Sequence, residues 1–263
     1  MKVSLCLPTS AISKTICNEL APLLTNPNAI ILDHTSGNPL ETLALSKHIH
    51  EISNGKVTYI DAPISGGPAG AKAGTVTTMV GTKESTSSVL LTQVLQAVAG
   101  RIVYLDAVGA GNAVKAINNM MNVSHLVFAS ECMYGLKLAG VNVGSALEAI
   151  NHSSGRSLQT EVRLPTEVLT GQYKYGFDLQ LMLKDVRQAK EFLKVQFQQE
   201  GNAVLEKDLL LTKWSDSLEQ LLATQLEKDL EDAKSGEVNV VLNEFGVPDY
   251  TRCVAKYGLE EEQ

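Results

Sequence analysis

The sequence predicts an α/β protein in which a parallel sheet is followed by an all-α helical domain. Short apolar strands alternate with helical stretches through the first third of the chain, and this order builds a parallel sheet. From about residue 109 onward the pattern is helical. These two observations predict domains at residues 1–108 and 109–263.

The strands and helices of the first domain are predicted from apolar runs and from the residues that end them. Strands are predicted at 3–7, which ends at Pro8, and at 29–33, which is apolar as a strand covered on both faces should be. Further strands are predicted at 57–61, 75–80 and 101–105. Helices are predicted at 13–24, at 39–53, where Leu40, Leu43 and Ile49 share one side, and at 84–98.

The helical domain is predicted from longer amphipathic stretches, at 113–138, 143–153, 155–169, 179–200 and 203–235. The segment from Gln196 to Lys234 is rich in charge and carries leucines at Leu218, Leu221, Leu222 and Leu226. Such spacing indicates one apolar face of a surface or dimer helix rather than a ligand site.

Composition excludes several classes of function. Hydrophobic residues make up 44% of the chain, charged residues 19% and aromatic residues 5%, so an aliphatic core is expected. The net charge of −7 argues against nucleic acid or an anionic membrane as the main partner. The four cysteines and five histidines show no zinc spacing, so we expect reduced thiols, no metal site and a cytoplasmic protein.

The stretch DAPISGGPAGAKAGTVTTMVGT, residues 61–82, is unusually rich in small residues. Successive N–H groups converge on an anion only where no Cβ blocks its approach, and glycine also permits the positive φ that this requires. The plain alternative is that these glycines only turn the chain between two strands.

Two further motifs follow in fixed order, GAGNAVKAINNMM at 109–121 and FDLQLMLKDVRQA at 177–189. Together with the glycine-rich stretch they resemble the β-hydroxyacid dehydrogenases, a family that includes 3-hydroxyisobutyrate dehydrogenase and, more distantly, 6-phosphogluconate dehydrogenase. The segment VPDYTRCVAKY, 247–257, resembles the closing segment of that family. The resemblance implies a Rossmann-type sheet that binds NAD or NADP, followed by a helical catalytic and dimerisation domain.

The resemblance also implies the substrate site. The hydroxyl of Ser65 and the N–H groups of Gly66 and Gly67 would hold a substrate carboxylate. Lys115 matches the catalytic lysine, which exchanges a proton with the substrate hydroxyl. Asn119 lies four residues further on and would orient the same substrate from the same helix face. A lone lysine on a helix is more often solvated surface, and it is the motif around Lys115 that favours catalysis.

On the cofactor side the resemblance implies four residues. Leu7 and Pro8 match a loop that touches the cofactor, and Ser36 matches a hydroxyl near the nicotinamide. Lys184 matches a lysine that closes on the cofactor side of the cleft, accompanied by Phe177 and Asp185. No Gly-x-Gly-x-x-Gly follows an early strand, so strand 3–7 corresponds to the family's fourth strand and the sheet is expected to be truncated.

The leading functional hypothesis is an oxidoreductase that transfers a hydride between NAD(P) and a small 3-hydroxy acid, as a homodimer or higher homo-oligomer. The alternative is an N-terminally truncated, inactive homologue that acts as a binding or partner protein. A third hypothesis is an α/β domain whose motifs are inherited from an ancestor and no longer bind a ligand. A mitochondrial location becomes an option if a further segment precedes residue 1.

Overall fold

The computed structural model describes residues 2–199, 210–236, 240, 242 and 248–259. The predicted α/β class is confirmed, since strands alternate with helices in the N-terminal part and long helices follow. The chain divides into two compact units. One comprises Met1–Asn118 with Glu191–Leu193, and the other comprises Asn119–Lys190 with Lys194–Gln263.

The first unit contains a parallel sheet in the order β1 (Lys2–Leu5), β2 (Ala29–Asp33), β3 (Val57–Asp61). Leu5 pairs with Asp33 and Asp33 with Asp61, so the carboxyl ends of the strands are in register. Helices α1 (Ser10–Leu20) and α2 (Pro39–Ile52) connect these strands. A short 3₁₀ turn, Ala21–Leu23, extends α1.

The N-termini of these helices are capped by side chains. Thr9 Oγ1 accepts a hydrogen bond from the N–H of Ile12, and Asn38 Oδ1 accepts one from Leu40. Such side chains satisfy N–H groups that lack a partner within the helix. The helix start at Ser10, rather than at the predicted residue 13, follows from the Thr9 cap.

A second small sheet contains β4 (Ile64–Ser65), β5 (Thr77–Val80) and β6 (Arg101–Tyr104). Strands β5 and β6 are parallel, whereas β4 runs antiparallel to β5. Hydrogen bonds join β5 to the end of β3, because the N–H of Met79 donates to Pro63 O at 3.0 Å and that of Gly81 to Asp61 O at 2.8 Å.

Between β4 and β5 the chain forms a short helix, α3 (Gly67–Ala73), where the sequence indicated only a turn. Gly74 ends α3 in the left-handed conformation, with φ of 67°. The predicted helix at 84–98 is divided into a 3₁₀ turn, Glu84–Thr86, and α4 (Val89–Val98). Ser88 Oγ accepts from the N–H of Leu91 and thereby fixes the later start.

Two apolar clusters hold the first unit together. One contains Cys17 of α1, Ile31 of β2 and Ile49 of α2. The other contains Leu32 of β2 and Leu95 of α4. Because neighbouring residues of β2 belong to different clusters, both faces of the parallel sheet are covered, as the apolar strand pattern predicted.

Helix α5 (Ala110–Leu138) contributes residues to both units. It is followed by α6 (Val143–Asn151), a π-helix (Gln159–Val168), α7 (Leu179–Gln199), α8 (Leu210–Ser235) and a 3₁₀ segment (Tyr250–Tyr257). The predicted helix start at residues 203–209 lies outside the described residues.

The π-helix is a departure from the predicted α-helix at 155–169. The N–H of Leu169 donates to Leu164 O, a bond that spans five residues. Pro165 has no N–H and lies inside the segment, so an unbroken α-helical ladder cannot form there. Wide turns of this kind are rare and are frequent at functional sites.

Helix α8 uses its apolar face within the second unit. Leu218 and Leu222 are buried, and Trp214 donates its indole N–H to Ser124 Oγ of α5 at 2.9 Å. Asp229 accepts two hydrogen bonds from the guanidinium of Arg252, each at 3.0 Å. The leucine face assigned to a surface or dimer helix therefore packs, at these two positions, inside its own unit.

Candidate functional site

The glycine-rich stretch contains the backbone geometry that its sequence predicts. Ser65 ends β4, where it pairs with Thr77. Gly66 has φ of 144° and Gly67 has φ of 62°, and both values lie in the region that favours glycine. A Cβ on Gly66 would lie 3.2 Å from Val76 Cα. The predicted carboxylate-binding residues therefore form a tight corner between β4 and α3 that requires glycine.

The predicted catalytic lysine lies in a buried part of α5. Lys115 is 9% exposed and Asn119 is 4% exposed, four residues further along. Residues four apart lie on one face of an α-helix. The solvated-surface alternative for Lys115 does not fit this burial.

Asn119 is held in place by a charged pair on α7. Its Nδ2 donates to Asp185 Oδ2 at 2.6 Å, and Lys184 Nζ lies 2.9 Å from Asp185 Oδ1. Asp185 is buried, so its carboxylate lies in a medium that strengthens both contacts. Asp185 thus fixes the side chain of Asn119, and Lys184 holds Asp185 in place.

The start of α5 is fixed by a residue to which the sequence assigned no role. Asp61, at the end of β3, accepts hydrogen bonds from the N–H of Gly109 at 2.8 Å and of Asn112 at 2.9 Å. Asp61 is fully buried, and this burial raises the pKa of its carboxyl group, although the two N–H groups act in the opposite direction. The carboxylate supplies acceptors to N–H groups at the helix start.

Two glycines make room for the Asp61 carboxylate. A Cβ on Gly81 would overlap Asp61 Oδ1 and lie 2.9 Å from Ala107 O. A Cβ on Gly111 would overlap Met79 O and lie 2.8 Å from Asp61 Oδ2. Gly111, the second glycine of the Gly-x-Gly at 109–111, is therefore required for close packing against Asp61.

Asn112 connects the start of α5 to the loop that precedes α2. Its Oδ1 accepts from the N–H of Gly37 at 3.0 Å, and its Nδ2 donates to Thr42 Oγ1 at 3.0 Å. The N–H of Asn38 in turn donates to Ser10 Oγ at 2.6 Å. A buried amide thus joins α2 and α5 within the first unit.

The two loops predicted to meet the cofactor are tied to each other by Thr35. Its Oγ1 accepts from the N–H of Leu7 at 2.9 Å and from Ser13 Oγ at 3.0 Å. Its N–H donates to Asp33 Oδ1 at 2.9 Å, while Tyr59 OH donates to Asp33 Oδ2 at 2.8 Å. The loops after β1 and β2 are therefore fixed at the carboxyl ends of neighbouring parallel strands.

This location fits one end of a dinucleotide. Ligands of open α/β sheets bind at the carboxyl ends of the strands. Pro8 is exposed and Ser36 is half-buried in the two tied loops. Lys184 lies on α7 with its side chain 21% exposed. The described residues contain no Gly-x-Gly-x-x-Gly between a strand and a helix.

A cavity of about 370 Å³ opens between α1 and α2. Ser13, Asp33 and Tyr59 line it, and all three are hydrogen-bonded in the network described above. Burial raises the pKa of the Tyr59 hydroxyl, so it remains a donor to Asp33. The cavity therefore borders the hydrogen bonds that join the loops after β1 and β2.

One histidine has partners that the sequence did not reveal. His34 is buried, its Nδ1 lies 2.7 Å from Ala62 O, and its Nε2 lies 3.4 Å from Ser4 Oγ. A carbonyl only accepts, so Nδ1 carries a proton and donates. These partners lie 30 and 28 residues away in the chain, so the local sequence around His34 does not reveal them. His48, His50, His125 and His152 are exposed.

Within the described part of the chain, no three His, Cys, Asp or Glu side chains gather as metal ligands. In the same residues, no helix combines the length and apolarity needed to cross a membrane.

Two family models match consecutive parts of the chain. Residues 1–107 match the NAD-binding domain of 6-phosphogluconate dehydrogenase. Residues 109–200 match the NAD-binding model of NADP-dependent 3-hydroxyisobutyrate dehydrogenase. The cofactor class that these models describe is NAD or NADP.

Two curated relatives of the chain are named as dehydrogenases of hydroxy acids. The chain is 33% identical over 210 residues to 2-(hydroxymethyl)glutarate dehydrogenase of Eubacterium barkeri, covering 79% of this chain and 66% of the relative. It is 31% identical over 186 residues to mitochondrial 3-hydroxyisobutyrate dehydrogenase of Drosophila melanogaster, covering 68% and 56% respectively. The chain thus spans between about half and two-thirds of the length of the curated relatives it matches.

Solved structures agree in fold. 3-Hydroxyisobutyrate dehydrogenase of Mycobacterium tuberculosis superposes with a TM-score of 0.71 over 97% of this chain and 78% of its own, at 22% identity. Its counterpart from Salmonella typhimurium gives the same TM-score at 19% identity. The two matching models and the two named relatives point to one group of enzymes, and the chain belongs to the β-hydroxyacid dehydrogenase family.

Proposed function

We propose that the chain is an oxidoreductase that transfers a hydride between NAD or NADP and a small 3-hydroxy acid. The observation that carries the proposal is the burial of Lys115 and Asn119 on one face of α5. Burying a lysine amine costs free energy, and buried titratable groups with fixed partners are concentrated at functional sites.

The substrate carboxylate binds at the corner between β4 and α3. Ser65 provides a hydroxyl, and Gly66 and Gly67 provide N–H groups that no side chain shields. The positive φ of both glycines supports this role, because successive N–H groups in such turns form concave anion sites.

Lys115 exchanges the proton of the reacting hydroxyl. In the oxidation direction its amine accepts the proton from the hydroxyl oxygen, and in the reduction direction its ammonium returns it. Asn119 orients the same hydroxyl. Its amide is fixed by Asp185, so little orientational freedom is lost when the substrate binds.

NAD or NADP, when bound, supplies the hydride acceptor or donor. Leu7, Pro8 and Ser36 would hold its nicotinamide end, and Lys184 would lie on its side of the site. Thr35 supports this assignment, because its hydrogen bonds fix the loop of Leu7 relative to its own loop.

The names of the two relatives support the substrate class. 2-(Hydroxymethyl)glutarate and 3-hydroxyisobutyrate both carry a hydroxymethyl group on the carbon next to a carboxylate. A site with one carboxylate cradle and one proton-transfer lysine suits this shared head group. A catalytically inactive binding protein is the less favoured alternative, since both matching family models are NAD-binding models.

We also propose a homodimer or higher homo-oligomer. Val114, Met121 and Phe128 are seven residues apart on α5 and are 41%, 51% and 62% exposed. Spacing of this kind gives an apolar stripe suited to a second helix. Light scattering of the purified chain would test the association. A cytoplasmic location is proposed, and a mitochondrial one if a leader precedes the chain.

The test is an oxidation assay with NAD and with NADP, using both acids as substrates and following the reduced nicotinamide. Lys115→Met should reduce kcat by about 10²–10⁴-fold, the range that general acid–base catalysis contributes, while a cooperative thermal unfolding transition shows that the fold is retained. Lys137→Met, at the exposed end of α5, is the matched control. Turnover that survives Lys115→Met would contradict the proton-transfer role.

A further inference from the structure

The carboxylate of Asp249, near the end of the chain, joins two distant segments. Its Oδ1 accepts hydrogen bonds from the N–H of Thr251 at 3.0 Å and from the Thr251 hydroxyl at 2.6 Å. Its Oδ2 accepts from the N–H groups of Gly176 at 2.6 Å and of Phe177 at 3.0 Å, which lie shortly before α7. One oxygen thus caps the 3₁₀ segment that begins at Tyr250, and the other holds the approach to α7.

Backbone contacts extend this connection to α7 itself. The N–H of Leu179, the first residue of α7, donates to Pro248 O at 2.9 Å, and the N–H of Tyr250 donates to Phe177 O at 2.8 Å. The rings of Phe177 and Tyr250 meet edge to face with centroids 5.8 Å apart, and Tyr250 is fully buried. We call residues 248–251 the C-terminal clamp, because they hold the chain at the start of α7.

The loop before α7 is irregular, so the position of the helix start depends on tertiary contacts. Three residues of this loop have positive φ, namely Gly171 at 64°, Tyr173 at 49° and Gly176 at 90°. The conformation is unfavourable for tyrosine and persists where the surroundings impose it. Tyr173 is buried, and Arg252 Cζ lies 5.3 Å from its ring centroid. The end of the chain therefore helps to set the conformation of this loop.

Helix α7 connects the C-terminal clamp to Asn119. Asp185 lies six residues after Leu179, about 9 Å along the helix axis. Its Oδ2 accepts from Asn119 Nδ2 at 2.6 Å, and both side chains are buried. Hydrogen bonds weaken beyond about 3.2 Å, so a shift of Asp185 by about 1 Å would disrupt this contact. Because the hydrogen-bonded turns of a helix move together, a displaced first turn would carry Asp185 with it.

We propose that Asp249 is a positioning residue for the proposed reaction. Its Oδ2 holds the start of α7 and thereby the Asp185 carboxylate that fixes Asn119. The inference rests on the proposed function, in which Asn119 orients the reacting hydroxyl. Misplacement of a positioning group by about 1 Å can lower a rate by about 10²-fold. All residues of this connection belong to the second unit.

The plain alternative is that Asp249 only caps the 3₁₀ segment and stabilises the fold. Two variants separate the two oxygens of its carboxylate. Asp249→Ser keeps a hydroxyl that can cap the N–H of Thr251 but lacks the oxygen that holds Gly176 and Phe177. Thr251→Val keeps the side-chain shape and removes one bond on the capping side, while the bonds from Gly176 and Phe177 remain.

The oxidation assay of the full chain gives the first measurement. Asp249→Ser should lower kcat about tenfold to hundredfold and change KM for the acid less than about threefold. Thr251→Val should keep kcat within about twofold of wild type. In an Asp185→Asn background, Asp249→Ser should lower kcat by less than about a further twofold, since residues that act through one another are not additive. A merely stabilising Asp249 would lower kcat by the same factor in both backgrounds.

A second measurement does not depend on turnover. The side-chain amide protons of Asn119, assigned by their absence from the nuclear magnetic resonance spectrum of Asn119→Asp, should include one at high chemical shift, because it donates to a charged acceptor. In Asp249→Ser and in Asp185→Asn this signal should move to lower chemical shift. Thr251→Val should leave it in place.

Thermal unfolding shows which variants keep the fold. Asp249→Asn is the milder second variant if Asp249→Ser does not fold, because its neutral amide holds the same N–H groups more weakly. Changes of the same kind and of smaller size are expected for it.

The outcomes separate this inference from the proposed function. A folded Asp249 variant with the kcat and the Asn119 signal of wild type would overturn the inference and leave the function standing. Equal effects of Asp249→Ser and Thr251→Val, or equal factors in the two backgrounds, would do the same. If the wild-type chain oxidises no acid, the proposed function fails, and the Asn119 signal alone decides the inference, which an unchanged signal in Asp249→Ser would overturn.

Discussion

The carboxylate of Asp61, at the end of β3, accepts a hydrogen bond from the backbone N–H of Asn112, in the first turn of α5, at 2.9 Å. A second bond from Gly109, at 2.8 Å, comes to the other oxygen of the same carboxylate. One buried side chain thus connects β3 to the helix that carries Lys115. The position of that lysine depends on this connection.

Replacing Asp61 with asparagine should lower the free energy of unfolding by about 1–3 kcal/mol, because one of the two N–H groups loses its acceptor. The pKa of Asp61 is raised by burial, so wild type loses part of its stability as pH rises from the ordinary aspartate value of 3.8 through the folded-state pKa. Urea unfolding across this range should show that slope in wild type and a flatter one in Asp61→Asn. The exposed Asp106→Asn is the control, and equal slopes in all three proteins would count against this account.

Gly66→Ala should raise KM for the hydroxy acid at least tenfold. The new Cβ lies 3.2 Å from Val76 Cα, and φ of 144° is unfavourable for alanine. Gly70→Ala, in α3, meets only ordinary contacts at 3.5 Å and gains helix propensity. Comparing KM for the two variants distinguishes an effect at the corner between β4 and α3 from an effect within α3. An unchanged KM in Gly66→Ala would exclude the carboxylate role.

Asp185→Asn should reduce kcat about tenfold to hundredfold, because Asn119 loses a charged acceptor and Lys184 loses its ion-pair partner. The loss should fall on kcat more than on the affinity for the acid, since Asn119 acts on the reacting hydroxyl. Glu191→Gln, exposed on the same helix, provides the comparison. A kcat equal to wild type would show that Asn119 is positioned without Asp185.

The cysteines should react with iodoacetamide in a definite order. Cys6 and Cys132 are exposed, whereas Cys17 and Cys253 are buried. Burial raises the pKa of Cys6, and it raises that of Cys17 to about 12, so little thiolate forms near neutral pH. Peptide mass spectrometry should find Cys132 labelled before Cys6, and Cys17 and Cys253 only after unfolding. Early labelling of Cys17 would contradict the packing of α1.

Glu219→Gln should lower the free energy of unfolding by about 0.2–1 kcal/mol near neutral pH, the range for partly exposed ion pairs. Glu219 receives hydrogen bonds from Lys190 and Arg187, which hold its pKa below the ordinary value of 4.5. Its contribution is present above that value and is lost as pH falls through the lowered folded-state pKa. The difference in the free energy of unfolding between Glu219→Gln and wild type should therefore vanish at acid pH. The corresponding difference for the exposed Glu227→Gln should not change with pH in this way.

Local sequence patterns predicted most of the fold. The apolar run at Ala29–Asp33 became a strand, and the helix predicted from residue 39 begins at Pro39, after the Asn38 cap. These features depend on neighbouring residues only. The π-helix departs from the prediction because Pro165 interrupts a pattern whose periodicity is otherwise helical.

The candidate site was predictable only where a motif names its residues. The roles of Asp61 and Asn112 were not predicted, since their partners lie 51 and 75 residues away in the chain. The available signal was a buried acid at a strand end and a Gly-x-Gly at a helix start. Each alone has common structural explanations, and only the folded chain brings the two together.

Trp214 is an intrinsic fluorescence probe of the helical unit. It is the single tryptophan of the chain, and its indole donates to Ser124 of α5 from a half-buried position on α8. Its emission should shift to longer wavelength when α8 leaves α5, and it should do so without any label. Tryptophan fluorescence can therefore follow the unfolding of the helical unit. The sheet-containing unit contributes to the tyrosine and far-ultraviolet signals, which can be recorded separately.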